Sequence, residues 1–197
     1  MPGGGFLCHT LTALLQPSGA KPVHRLGRFT SGLQVCARRP ETRAKLSAQL
    51  RSHGEIRKTY QALTERIPNL EVGQRLIISS DIVERQHPLL GWIWGPEPSI
   101  EERFRRRLSA HSEVELLERR TDGDFVAVTI KTGRPHQIRI HLCQINAQLK
   151  GDPLYLKDQS ISPTSTPGDG GYSLHACKLE NLGEQKLKLC CLRPLQG

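Results

Sequence analysis

Aromatic residues are scarce, at 5% of the 197 residues, and there is a single methionine. An interior made from this chain must be filled by Leu, Ile and Val. Acid is also in short supply: 19 Asp and Glu stand against 28 Lys and Arg, for a formal charge of +9. That surplus favours a polyanionic partner, RNA or DNA ahead of an acidic protein, although a basic surface that serves only solubility has the same composition. No apolar run approaches the roughly 20 residues of a membrane-spanning helix, so no membrane association is expected. The opening MPGGGFLCHTLTALLQPSGAKPVHR lacks early basic residues, and His9 and two threonines break its apolar character, so no secretory leader is expected. None of the six cysteines belongs to a C-x-x-C pair. Reduced thiols in an intracellular protein follow, with cytoplasm, nucleus and organelle left open.

Several chemistries lack their residues. Gly3-Gly4-Gly5 is followed by neither a lysine nor a flanking strand, so there is no P-loop or dinucleotide fingerprint. His24, His136, His141 and His175 offer ligands, but His136 and His141 are five apart, on different helix faces, and no metal spacing appears. No metal is expected. Cys143 has no base placed beside it by any local element, which argues against a Cys-His nucleophile.

What is present suits one α+β domain spanning 1–197. Residues 1–5 read as flexible, and a short helix over Thr10–Leu15 stops near Pro17, Ser18 and Gly19. LQVCA reads as a strand, Pro40 to His53 as a helix ended by Gly54, and IRKTYQALT and RLIIS as strands. From Asp81 to Ser109, three prolines, two tryptophans and the cluster RFRRRL predict a connection facing solvent. Strands resume with SEVELLERR and FVAVTI, the latter rich in β-branched residues. In TGRPHQIRIHLCQI, Pro135 suits a helix start, and Ile138, His141, Leu142 and Ile145 share one face, with Arg139 at the rim. The Ser, Thr, Pro and Gly of 158–171 predict a flexible loop, and SLHACKLENL and KLKLCCLRPL a closing antiparallel pair turning at Gly183 and Glu184.

Three polar segments hold cations among apolar or glycine residues: 24–32, 57–60 and 134–141. Cations on several elements facing one groove are what a polyanion cleft requires. In order and content these segments resemble RNA pseudouridine synthases, the RluA-type group acting on ribosomal and transfer RNA. The group's HRLDRxTSG is matched by His24-Arg25-Leu26-Gly27-Arg28-Phe29-Thr30-Ser31-Gly32, its KxY by Lys58-Thr59-Tyr60, and its TGRxHQIRxHL by Thr132 through Leu142. GDPLY at 151–155 and LHA at 174–176 follow in the same order.

The resemblance implies a mixed, mainly antiparallel sheet with flanking helices and a central cleft. It also implies isomerisation of uridine to pseudouridine in structured RNA (ribosomal, transfer or other), with no metal or organic cofactor. It makes Tyr60 a residue that packs on the target base and Arg139 the partner of a nucleophilic aspartate. His24, Arg25, Arg28, Lys58, Arg134, His136 and Gln137 become RNA contacts, while Ile138 and Leu154 either line the pocket or belong to the core. The aspartate position is Gly27, which has no side chain. Arg139 is therefore expected to seek another anion such as RNA phosphate, and Asp152 to serve as a turn residue. A second reading follows: a protein that holds RNA in the same cleft without changing it. The family's opening strand, with its asparagine-lysine-proline segment, is expected to be missing.

Overall fold

Alternating burial along the strands builds the sheet. In the computed structural model, which describes residues 9–52, 55–98 and 103–191, Val114 and Leu116 are fully enclosed while their odd-numbered neighbours face outward. The chain opens with α1 (Leu11–Leu14), capped by the Thr10 hydroxyl, and a 3-10 turn (Gln16–Ser18) closed by Gly19. A two-stranded ribbon of β1 (Lys21–Pro22) and β3 (Cys36–Ala37) brackets β2 (Thr30–Gly32), and α2 (Pro40–Arg51) follows. LQVCA thus contributes only its last two residues to a strand.

The main sheet comprises β4 (Arg57–Thr64), β5 (Arg75–His87), β6 (Gly91–Pro96), β7 (Phe104–Arg119), β8 (Asp124–Ile130), β9 (Leu174–Leu182) and β10 (Leu187–Cys190). Its order is β10-β9-β4-β8-β7-β5-β6, all antiparallel, and β2 adds to β9 in parallel. The sheet is therefore mixed and mainly antiparallel, and with its few helices the fold is α+β. In register, Tyr60 of β4 lies between Val128 of β8 and Ala176 of β9. The closing pair turns at Gly183 as expected. Residues 1–5, Gly54 and the end of the final strand-like stretch lie outside the described residues.

Two expectations fail. The segment 81–109 is no solvent-facing connection: its described residues continue β5, form β6 and begin β7. Ile82 and Val83 are wholly buried and Ile93 nearly so. A register shift between Val83 and Arg85 lets consecutive residues turn inward, which hides the alternation. The arginines of RFRRRL lie along the strand, with the guanidinium groups of Arg105, Arg106 and Arg107 over Trp92, Trp94 and Phe104. Arg106 also grips Glu84 with two hydrogen bonds.

The helix after Pro135, α3 (Gln137–Gln144), is likewise not one-faced. All residues from Gln137 to Cys143 are buried, because a core cluster packs on either side of it. One side joins Ile138 and Leu142 to Val114, Val126, Val128 and Ile130. The other joins Ile140 and Cys143 to Ile82, Ile93, Leu154 and Tyr155. The helix starts after Pro135, at a His136 cap held in the left-handed region with φ 53°.

Packing of the long hairpin into the core is open to a stability measurement. Ile82→Ala should lower the unfolding free energy by about 2–5 kcal/mol in urea titrations, the usual cost for a buried isoleucine. A loss below roughly 0.5 kcal/mol, as for a surface position, would mean that this segment is not part of the core.

Candidate functional site

The segment 24–32 is fixed at both ends. Val23 donates its N–H to Val35 O at 2.9 Å, and Thr30 to Gly32 run beside Leu174 to Ala176. Gly32, at φ 102°, lies so close to Ala176 that a Cβ would fall 2.2 Å from its carbonyl oxygen, so only glycine fits. Ser31 is held by His175: the imidazole donates through Nε2 to Cys191 O, leaving Nδ1 to accept from the Ser31 hydroxyl, both at 2.8 Å.

Gly27 is exposed within a turn closed by a bond from Thr30 N–H to its own carbonyl. A Cβ built there would meet Thr30 Oγ1 at 3.1 Å and the Tyr172 hydroxyl at 3.5 Å. A side chain at position 27 would therefore lie beside Tyr172 with little adjustment.

Tyr172 ties the site together. Its ring lies 4.4 Å from the Arg139 guanidinium, and the Tyr155 ring lies 4.9 Å away. Arg139 is only 4% exposed. Its Nε donates to Asp152 Oδ2 and its Nη2 to Asp152 Oδ1, both at 2.7 Å. The arginine is thus neither at a rim nor in need of RNA phosphate: helix α3 is buried all round, and the anion comes from within the fold. Asp152 is also the expected turn residue, its Oδ1 accepting N–H bonds from Leu154 and Tyr155. Gly151 and Gly171 lie against each other, a Cβ on Gly151 falling 2.3 Å from Gly171 O. This contact brings Asp152 and Tyr172 to the same arginine.

Tyr60 is half-buried and packs on the cluster that contains Tyr172 and Leu174. Burial, with Cys177 nearby, pushes its hydroxyl up to about 12, so at neutral pH it is a protonated phenol on a flat ring. Tyr172 went unread in the sequence. Its signal was there: it is one of three tyrosines, two residues before the Leu174-His175-Ala176 match.

The expected RNA contacts divide by what they have free. Arg25 is exposed. Arg28 donates to Gly168 O at 3.1 Å and lies over Phe29, whose ring packs edge-on to Tyr172 and directly on Gly170. The irregular 158–171 segment therefore rests on the 27–31 turn. His24 accepts the Val35 N–H through Nε2, so its ring braces the ribbon. Lys58 donates to Leu50 O at 3.0 Å, its amine lies beside Gly133, and burial lowers its pKa.

Arg134 donates to Ser109 O. Gln137 accepts from the Thr132 hydroxyl and Arg134 N–H and donates to His111 O and Ser112 Oγ, so it shapes the 132–136 loop. Tyr155 donates to Trp94 O and so accepts from His136 Nδ1 at 2.6 Å, which leaves His136 Nε2 as its remaining polar atom. Leu154 is fully buried and Ile138 nearly so, both in the core clusters.

The profile of a family described as RNA pseudouridylate synthase matches residues 6–144. The chain belongs to this family. An uncharacterized RNA pseudouridine synthase of Synechocystis sp. is 34% identical over 98% of this chain and 66% of its own length. RNA pseudouridine synthase 5 of Arabidopsis thaliana is 29% identical over 91% of the chain and 61% of its own length. The solved human RNA pseudouridylate synthase domain containing 1 superposes with a TM-score of 0.69 at 20% identity, covering 95% of this chain and 75% of the other, a likeness of fold. The chain spans two thirds or less of the length of these relatives by sequence.

In this pseudouridylate synthase family member, the site combines the protonated Tyr60 phenol with a buried Arg139 guanidinium neutralised by Asp152. Both Asp152 oxygens accept bonds from Arg139. No side chain at Gly27 supplies a carboxylate.

Two measurements test this geometry. Asp152→Asn leaves the Arg139 charge uncompensated and should cost about 3–5 kcal/mol of stability, part of which returns when Arg139→Met is added. Purely additive losses would show that the two side chains do not form a pair. Burial also holds His136 and His141 down at about 4, from the ordinary 6.5. Above about pH 6.5 both states are neutral there. As pH falls from about 6.5 to about 4 the unfolded histidines take up protons that the folded ones refuse, so stability declines across that window and levels off below it. His141→Gln should flatten the decline, and an unchanged slope would contradict a neutral His141.

Proposed function

We propose that this chain isomerises uridine to pseudouridine in structured RNA, ribosomal or transfer RNA first. What carries the reading is the convergence of the 24–32, 58–60 and 132–142 segments on the Tyr60–Tyr172–Arg139 framework. A tyrosine ring with a protonated hydroxyl suits an unstacked uracil, and cations on several elements suit the strand that carries it. The free thiols of Cys36, Cys143, Cys177, Cys190 and Cys191 suit an intracellular protein, and among the described residues no helix is long and apolar enough to cross a membrane.

The family resemblance implies a nucleophilic carboxylate, and the contacts of the 158–171 segment nominate Asp169. It lies between Gly168, whose carbonyl holds Arg28, and Gly170, on which Phe29 rests. Its Oδ2 accepts the Thr166 N–H, and it is exposed. A second reading, binding of RNA without isomerisation, is motivated by Gly27 and the formal charge of +9, while the matched family and relatives support the first.

The experiment compares wild type, Gly27→Asp, Asp169→Asn and Tyr60→Ala on total RNA, with pseudouridine quantified by mass spectrometry of digested nucleosides. On the first reading, wild type forms pseudouridine and Asp169→Asn loses at least about a hundredfold in rate. Product made only by Gly27→Asp supports the second reading. Failure of wild type and of Gly27→Asp both to bind RNA and to make product would overturn both.

A further inference from the structure

The β1–β3 ribbon leads from the Lys21–Ala37 pair through Val23 and Val35 to His24, the first residue of the site segment. At its Lys21 end lies a hollow of about 210 Å³, lined by Lys21, Arg38, Arg39 and Arg43 with Gly19 and Pro40. A second hollow of about 320 Å³ adjoins it and shares Gly19 and Lys21. Lys21, Arg38 and Arg39 are exposed and Arg43 is half-buried.

None of these four side chains makes a hydrogen bond or ion pair among the described residues. Arg75, Arg106, Arg107, Arg119 and Arg139, by contrast, each hold a carboxylate. The one acid in the first turn of α2 is Glu41. Four like charges around one hollow repel one another, so folding gains nothing by gathering them. Cations on β1, on the connection between β3 and α2, and on α2 suit an extended polyanion, and arginine forks suit phosphate. A protein partner is the poorer fit, because the lining offers no aromatic or large apolar anchor.

We infer that this hollow, made by Lys21, Arg38, Arg39 and Arg43, holds the phosphodiester backbone of RNA flanking the nucleotide that enters the Tyr60 pocket. The inference rests on the RNA-directed reading of that pocket. Each phosphate neutralised releases counterions, with a salt slope of about −0.7 per contact for single strands and −0.9 for duplex.

The test measures binding of a fluorescein-labelled, uridine-containing RNA stem–loop by anisotropy over a salt series. The proteins are the full chain, a variant with all four residues changed to Gln, and one with Arg38→Lys, Arg39→Lys and Arg43→Lys. The Gln variant should melt like wild type, bind about tenfold or more weakly, and show a log–log salt slope shallower by roughly 2–3. The lysine variant should keep most of the slope. Wild-type affinity and slope in the Gln variant would overturn the inference while leaving the pocket reading intact. Competition by poly-glutamate as effective as by unlabelled RNA would overturn the assignment to RNA. No RNA binding by wild type would remove the pocket reading, and this inference with it.

Discussion

A guanidinium taken out of water is costly unless its charge and its donors are matched nearby, and Arg139 meets that condition entirely from within the chain. Asp152 supplies a bidentate carboxylate in fork geometry, and two tyrosine rings cover the faces of the cation. The rest of the site follows from this arrangement. Asp152 organises the turn that buries Leu154 and Tyr155, and Tyr155 in turn fixes His136 and reaches Trp94 on the long hairpin. Tyr172 carries the network across to the 24–32 segment, where its hydroxyl lies next to Gly27. Loops 151–155 and 168–172, helix α3 and strand β6 are thereby held by one buried charge pair.

This explains how the fold tolerates glycine where the family resemblance implies an acid. Were the carboxylate at position 27 the sole partner of Arg139, its loss would strand a buried charge at a cost of several kcal/mol. With Asp152 in place the pocket keeps its shape, and the chemistry at position 27 is separated from the stability of the site.

Much of this was legible in the sequence. FVAVTI, IRKTYQALT and the closing pair read as strands because their β-branched and apolar residues face a sheet, and the motif order indicated the family. Ile82 and Val83 were not legible as strand, since adjacent inward residues at a register shift break the period-two pattern and stacked arginines look like a solvated run. Arg139 was misplaced because a helix rim is inferred by assuming that one side faces water. A helix flanked by two clusters has no such side. Tyr172 went unread because its role depends on Gly151 meeting Gly171, a contact between segments 20 residues apart that no local pattern encodes.

The glycine also changes the electrostatics of the entrance. An aspartate at position 27 would lie between Arg25 and Arg28, on the segment that follows the ribbon bearing Lys21. Without it that stretch carries cations alone, and a unit charge at this range is felt across a Debye length of about 10 Å in ordinary buffers. Removing the acid therefore strengthens the attraction for phosphate while it weakens any covalent step at that position. The site is thus braced by Asp152 from within, while the 24–28 stretch beside it carries Arg25 and Arg28 with no acid of its own.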